Sequence, residues 1–348
     1  TGPRKLRDPV AMDRLRQQVQ GFRPPQMYQY ITSGQRPLLA ALEQGLRSGR
    51  RPCGPSGCAS DAGAGRAQPW LANRQGGREQ HFVYHTSYNW QASDPLLAAS
   101  HARPAGVLAA LQGAGLAPAA RVHQPRSIAD SDLGQVHSQT YVARVLQGAL
   151  PHVDSGGQDK ASKLKRYKDA LQGAWSSGRA SHAKTAAGGT YAAAKLALQH
   201  KTFVGNLAPG SSQVDRQSAA GLETFNGPVI AARKLIRDGA VQRVMIVDGD
   251  LAYGGGTNKL TARDDRIAYV SVYGVPAGEP YSGGTNAALP VPRGATDAEY
   301  LSPFSRGLAR QIDRFRPQLI IYNAGASAHH GDPTNSVAGL QVSSAALA

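Results

Sequence analysis

Short apolar runs alternate with longer amphipathic segments along the chain from residue 80 onward. Runs rich in β-branched and aromatic residues predict strands at His81–Tyr84, Thr202–Leu207, Arg243–Val247, Ile267–Val272 and Leu319–Asn323. Apolar residues at helical spacing predict helices at residues 105–114, 131–147, 185–198, 228–238 and 298–315. This alternation is typical of an α/β protein with a doubly wound, mainly parallel sheet flanked by helices.

The first 79 residues differ in composition from the rest, with 13 Lys or Arg against 5 Asp or Glu. Residues 8–20 and 36–47 have the spacing of short helices, whereas residues 48–77 are rich in Gly, Pro, Ala and Arg. Such a composition is typical of a linker or of an extended arm that folds on a partner. We therefore divide the chain into a basic extension at residues 1–79 and an α/β domain at residues 80–348.

The strand predicted at Arg243–Val247 runs directly into a glycine-rich loop that contains Asp248 and Asp250. Open α/β sheets place their chemistry at the carboxyl ends of their strands, so both carboxylates are candidate site residues. A metal held by them would normally need an imidazole nearby, but Ala252 and Tyr253 occupy that part of the loop. The loop therefore has the pattern of a metal site from which a ligand has been removed.

Several other segments occur in the order in which one enzyme family carries its motifs. They are Tyr84-His85, His101-Ala-Arg-Pro104, Val136-His-Ser-Gln-Thr-Tyr-Val142, Ala186-Ala-Gly-Gly189, Thr224-Phe-Asn-Gly-Pro-Val-Ile-Ala-Ala232, Arg316-Pro-Gln-Leu-Ile-Ile-Tyr-Asn-Ala-Gly325 and His329-His-Gly-Asp-Pro333. With the acidic loop, they resemble the zinc-dependent histone deacetylase and acetylpolyamine amidohydrolase family over residues 80–348. The resemblance implies one eight-stranded parallel sheet with helices on both faces.

The resemblance also assigns residues to the family's catalytic positions. Asp250 stands at the position of a metal-binding aspartate, Ala252 at that of a metal-binding histidine, and Ser327 at that of the third ligand. Ser211 and Ser212 stand where the family has its paired general-base histidines. Zinc-dependent hydrolysis needs three protein ligands and a base, so these replacements predict a catalytically inactive homologue without metal or other cofactor.

The family's transition-state tyrosine and its final strands would follow residue 348. We therefore expect a domain with a truncated carboxyl-terminal end and without the catalytic tyrosine. An exposed sheet edge tends to pair with other chains, so we expect a neighbouring protein subunit to cover it.

The whole chain contains 39 Lys and Arg against 23 Asp and Glu, which gives a formal net charge of +16 at pH 7. This charge favours a polyanionic partner, with nucleic acid as the first choice. The candidate phosphate-contacting residues are Lys160, Lys163, Lys165, Arg166, Lys168, Arg50 and Arg51. An ordinary solvated helix face would have a similar composition. No apolar run approaches the roughly 20 residues that span a bilayer.

These features support hypotheses from different classes. In the first, the chain is a non-catalytic structural subunit of a large ribonucleoprotein, such as an organellar ribosome in the mitochondrial matrix, and contacts rRNA phosphates without sequence preference. In the second, the former active-site tunnel binds a small cationic or acetylated ligand, and a residual zinc deacetylase is a further alternative. A cytoplasmic location is the alternative to the organelle. Cys53 and Cys58 form either a local disulfide or two free thiols.

Overall fold

The strands of this protein form one parallel sheet. The computed structural model describes residues 29–31, 80–89, 95–148, 177–219, 224–274, 282–332 and 338–347. Within them the strands are β1 (Gln29–Ile31), β2 (His81–Val83), β3 (Val122–His123), β4 (Val204–Asn206), β5 (Val244–Asp248), β6 (Ile267–Tyr273), β7 (Ala287–Pro290) and β8 (Leu319–Asn323). Their order across the sheet is β3-β2-β4-β1-β8-β5-β6-β7, and every neighbouring pair is parallel. The predicted α/β fold class is confirmed.

Helices connect the strands. They are α1 (Pro95–Gly113), α2 (Asp130–Leu133), α3 (Gln139–Leu146), α4 (Ser177–His200), α5 (Gly227–Arg237), α6 (Gly255–Thr261), α7 (Asp297–Ser302), α8 (Ala309–Phe315) and α9 (Ser344–Leu347). A π-helical segment, Pro303–Leu308, joins α7 to α8. Among the described residues, no helix is long and apolar enough to cross a membrane.

Strand β5 lies inside the sheet between β8 and β6, and all of its residues are buried. Val244 and Ile246 pack in the apolar cluster that includes α4 and α5, whereas Met245 and Val247 pack in the cluster that includes the π-helical segment and α8. The two faces of β5 are therefore both covered by helices. This explains why β5 is a continuous apolar run rather than an alternating one.

Two helical predictions need correction. The single helix predicted over residues 131–147 is two helices, because Ser138 lies in an extended conformation and its hydroxyl caps α3 by accepting from the Tyr141 N–H. The glycine run at Gly254–Gly256, which favoured a turn in the sequence, instead begins the unpredicted helix α6. In both places a local hydrogen bond or a tertiary contact decides the structure over residue propensity.

Strands β1, β3 and β7 were not predicted from the apolar pattern. Each is short, and β1 lies inside the segment predicted to be a basic extension, where it pairs with β4 and β8. Strand pairing supplied by neighbours, which a single sequence does not display, defines such short strands. The division at residue 79 and the further strands expected after residue 348 stay predictions. Within the described residues the sheet edges are β3 and β7, and β8 lies in the interior.

Helix α4 packs very closely on the segment that precedes α2. The Ile128 N–H donates to the Lys184 carbonyl of α4 at 3.1 Å, and the Ser127 and Thr185 hydroxyls lie 2.7 Å apart. A Cβ on Gly188 would lie 2.0 Å from the Arg126 carbonyl oxygen, so only glycine permits this approach. Gly188 therefore permits the close approach of α4 to the backbone of residue 126.

We predict that Gly188→Ala lowers the free energy of unfolding by about 1–3 kcal/mol, because the backbone of residue 126 cannot move aside without strain. The matched control is Gly106→Ala in α1, where an added Cβ meets no atom within 4 Å. That change should raise stability by up to about 1 kcal/mol, through helix propensity. Urea denaturation of both variants measures the difference, and equal effects would contradict the packing argument.

Candidate active site

The carboxyl ends of β8, β5 and β6 bring the candidate site together. Asp248 is the last residue of β5 and lies opposite Asn323 of β8 and Ser271 of β6. Its side chain is fully buried. One carboxylate oxygen accepts from the Asp250 N–H at 3.1 Å, and the other accepts from the Tyr269 hydroxyl at 3.1 Å.

Two more polar side chains contact Asp248. The Asn323 amide donates to it at 3.4 Å, and the Ser212 hydroxyl donates to it as well. These contacts do not compensate for the burial of the carboxylate. Burial, reinforced by repulsion from Asp250, raises the pKa of Asp248 to about 6. Asp248 is therefore a carboxyl group that gains and loses its proton near neutral pH.

Asp250 lies two residues further along and is partly exposed. Its carboxylate accepts from the Leu251 N–H at 2.8 Å and from the backbone of Ser327. Burial, followed by repulsion from Asp332, still raises the pKa of Asp250 above the ordinary carboxyl value. Both acids of the loop thus favour the protonated form more than exposed carboxyls do.

Two glycines make room for these acids. A Cβ on Gly325 would lie 2.3 Å from the Asp250 carboxyl carbon. A Cβ on Gly254 would lie 2.1 Å from the Tyr269 hydroxyl and 2.8 Å from an Asp248 oxygen. The glycines are therefore required for close approach to the site rather than only for turning the chain.

The structure places the predicted degenerate positions at or beside this site. Ser211 and Ser212 are buried, and the Ser211 hydroxyl accepts from the Gly227 N–H at the start of α5, at 2.9 Å. The Ser327 hydroxyl accepts from the Leu251 N–H at 3.1 Å, and Ala252 is partly buried. Ser212 therefore joins Asp248, Ser327 joins Asp250, and Ser211 faces the helix instead.

The loop that carries Ser211 and Ser212, here called the serine loop, is held in place by a buried histidine of the Val136–Val142 segment. His137 has no exposed surface, and burial is the main cause that lowers its pKa to about 4. Its Nδ1 lies 2.8 Å from the Asp215 carbonyl oxygen, and its Nε2 accepts from the Asn226 N–H at 3.1 Å. The Asn226 side chain in turn donates to the Val214 carbonyl and to the Thr257 hydroxyl. A neutral imidazole thus links the loop to the start of α5.

The residues of the site do not fit the zinc ion that the resemblance implies. Asp250 already accepts from backbone donors, Ala252 offers no ligand atom, and the Ser327 hydroxyl is a neutral acceptor. Within the described part of the chain, no three His, Cys, Asp or Glu side chains are grouped so that they could hold a metal. A zinc site requires about three such ligands, so no catalytic step is assigned to a metal here.

The predicted phosphate-contacting residues, Lys160, Lys163, Lys165, Arg166, Lys168, Arg50 and Arg51, lie outside the described residues, as do Cys53 and Cys58. Sequence reasoning also missed Tyr269 and Asn323 as partners of Asp248. Asn323 had a signal, since a polar residue ends the apolar run of β8. Tyr269 had no such sequence signal, because it lies inside an apolar run. Its hydroxyl comes within hydrogen-bond distance of Asp248 only because β6 pairs with β5.

The fold and the site define an α/β protein with acidic residues at the carboxyl edge of a parallel sheet, where proteins of this architecture bind their ligands. The family model for the histone deacetylase domain matches residues 98–347. The chain belongs to this family.

Individual relatives agree with the family match. An uncharacterized protein of Picosynechococcus is 28% identical over 218 residues, which cover 63% of this chain and 68% of that protein. Histone deacetylase HDA1 of Saccharomyces cerevisiae is 28% identical over 170 residues, 43% of this chain but only 24% of HDA1. The crystal structure of the HDA15 HD domain matches with a TM-score of 0.62 and 19% identity over 77% of each chain, which supports the fold.

These comparisons contradict the prediction that the chain is not an enzyme. The matched family model is that of the histone deacetylase domain, and the yeast relative is a histone deacetylase, so these relatives are enzymes. The prediction relied on replaced residues at individual positions. It gave too little weight to a match that extends over most of the domain.

We predict that Asp248→Asn stabilises the protein at pH 8 by roughly 2–3 kcal/mol and has little effect at pH 4. The pKa of Asp248 is raised in the folded protein, so its ionisation opposes folding. That cost is absent below the ordinary carboxyl pKa, grows as the pH rises, and is complete above about 6. Asparagine keeps the shape and removes the charge.

Urea denaturation at both pH values measures this effect. The control, Asp265→Asn, removes an exposed aspartate and should change stability by less than about 0.5 kcal/mol at either pH. An Asp248→Asn variant that is destabilised equally at pH 4 and pH 8 would show that ionisation of Asp248 does not oppose folding.

Proposed function

We propose that this chain is a hydrolase domain of the deacetylase family that removes an acyl group from an amine. Asp250 transfers the proton between water and the leaving amine, and Asp248 positions Asp250. The observation that carries the proposal is the pair of carboxyl groups at the end of β5, both with raised pKa values. Burial that raises the pKa of a carboxyl makes it a better proton acceptor, which suits it to general acid–base catalysis.

Asp250 is the member of the pair that reaches the reacting atoms, because it is partly exposed whereas Asp248 is fully buried behind it. The Asp250 carboxylate accepts a proton from the water that adds to the acyl carbon. The bond between carbon and nitrogen then breaks, and the leaving amine takes a proton from Asp250. The products are a carboxylic acid and an amine.

Asp248 acts as a positioning residue. Its oxygen accepts from the Asp250 N–H, so it fixes the place of the Asp250 backbone at the end of β5. Removing Asp248 should therefore lower the rate of the reaction more than it weakens substrate binding.

The substrate class is an acylated primary amine, as the family name indicates for its members. The described site lacks the ligands for a zinc ion. A proton-transfer group alone accelerates a reaction by about 10²–10⁴-fold. We therefore expect a slow enzyme.

We predict that the purified chain releases acetate from an acetyl-lysine peptide or an acetylated diamine, and that Asp250→Asn lowers the rate by at least about 10²-fold. The wild-type rate should rise with pH as Asp250 loses its proton, at a pH above the ordinary carboxyl range, because the pKa of Asp250 is raised. Acetate release followed by NMR across the pH range measures both effects.

Asp265→Asn is again the control and should keep the wild-type rate. A folded wild-type chain that releases no acetate above the buffer blank would overturn the proposed function, and so would an Asp250→Asn variant with unchanged activity. Circular dichroism establishes that each variant is folded before its rate is compared.

Contact with RNA is a second candidate function, supported by the formal net charge of +16. A charge of this size attracts a polyanion without sequence preference. Location in an organellar ribosome, in the mitochondrial matrix or next to a neighbouring subunit stays a prediction that this charge alone motivates.

We predict that the chain binds a generic single-stranded RNA and that the affinity falls steeply with salt. Replacing Lys160, Lys163 and Lys165 by alanine should reduce the salt slope by about 2. The control removes equal charge from the exposed residues Arg306, Arg310 and Arg314 and should leave the slope nearly unchanged. Fluorescence anisotropy measures both, and an equal effect of the two variants would exclude a specific basic site.

A further inference from the structure

Three histidines meet at the β3 edge of the sheet, several strands away from the acidic loop. His81 begins β2, His123 ends β3, and His200 is the last residue of α4. The His81 Nδ1 and the His123 Nε2 lie 2.9 Å apart. The His200 ring stacks on the His81 ring with 4.4 Å between centroids. The proposed hydrolase chemistry uses none of these side chains.

The distance between the two facing nitrogens is informative. A metal–imidazole bond is about 2.0–2.1 Å long, so two imidazoles at adjacent corners of a square or octahedron have nitrogens about 2.9 Å apart. In the present structure a proton fills the position between them, as a hydrogen bond. A metal ion can take the place of that proton when the two rings turn so that both nitrogens point at the ion.

We propose that His81 and His123 form a chelating site for a divalent transition metal that prefers square or octahedral nitrogen ligation, with Cu²⁺ preferred over Ni²⁺. Among the described residues no three potential ligands are grouped to hold a metal, so the protein supplies two nitrogens and water supplies the remaining positions. This ligand number does not suit tetrahedral zinc, whereas imidazole pairs in tetragonal geometry suit Cu²⁺, which binds most strongly in the series.

The surroundings of the pair fit this role. His123 is partly exposed, which gives an ion a path from solvent, whereas His81 is buried and holds its ring in place against His200. Burial, followed by the charge of His200, lowers the pKa of His123, so its ring stays neutral and able to bind a metal at neutral pH. Pairing of β2 with β3 sets the spacing of the two backbones.

The test is titration of the full chain with Cu²⁺ alone, followed by calorimetry and by electron paramagnetic resonance. We expect one tight site per chain with two imidazole nitrogens bound to the copper. His123→Gln should weaken that site by at least about tenfold. The matched control is His330→Gln, because the His329 and His330 rings also lie together, tilted by 34° with 4.3 Å between centroids, but their ring nitrogens bond to the Ser344 hydroxyl and the Val342 carbonyl.

A copper spectrum with fewer than two nitrogen ligands, or equal weakening by His123→Gln and His330→Gln, would overturn the site. If His123→Gln does not fold, the wild-type spectrum and the variant His81→Gln decide the question. Neither outcome depends on amide hydrolysis.

Discussion

The burial of the Asp248 carboxyl beneath the end of β5 is the constraint on which the rest of the site depends. Because the group has no exposed surface, its partners must come from the protein, and they come from four different segments of the chain. The requirement explains Gly254, which leaves space for the carboxyl and its tyrosine partner. A carboxyl so enclosed stabilises the fold poorly when ionised, and such a cost is typical of functional sites.

The scaffold that holds this carboxyl is built from neutral, fully buried polar groups. His137 and Asn226 connect the serine loop, α5 and α6 through hydrogen bonds to backbone and hydroxyl groups. Since the pKa of His137 is lowered to about 4, these bonds keep one arrangement of protons through the neutral range. The titrating groups of the site are therefore the acids of the loop, and the surrounding network stays fixed while they change charge.

The sequence predicted the elements that have a local pattern of their own. It did not predict those that depend on pairing with a distant strand. The strand that ends at Asp248 has an uninterrupted apolar run, which a strand buried on both faces requires, and its acids follow directly. Strand β3, by contrast, is only two residues long, and its place comes from pairing with β2. Tyr269 becomes a partner of Asp248 through the register of β5 and β6, which no local pattern displays. The residues at the family's catalytic positions, taken one at a time, predicted that the chain is not an enzyme. The family match contradicts that prediction.

The end of β5 holds a carboxyl group that gains or loses its proton near neutral pH. Isotope-edited infrared spectroscopy of the chain with labelled aspartate, compared with the Asp248→Asn variant, measures the titration of this one group directly. We expect a carboxyl band that disappears with a midpoint near pH 6 and is missing from the variant. A midpoint for Asp248 in the ordinary carboxyl range, near 4, would contradict it.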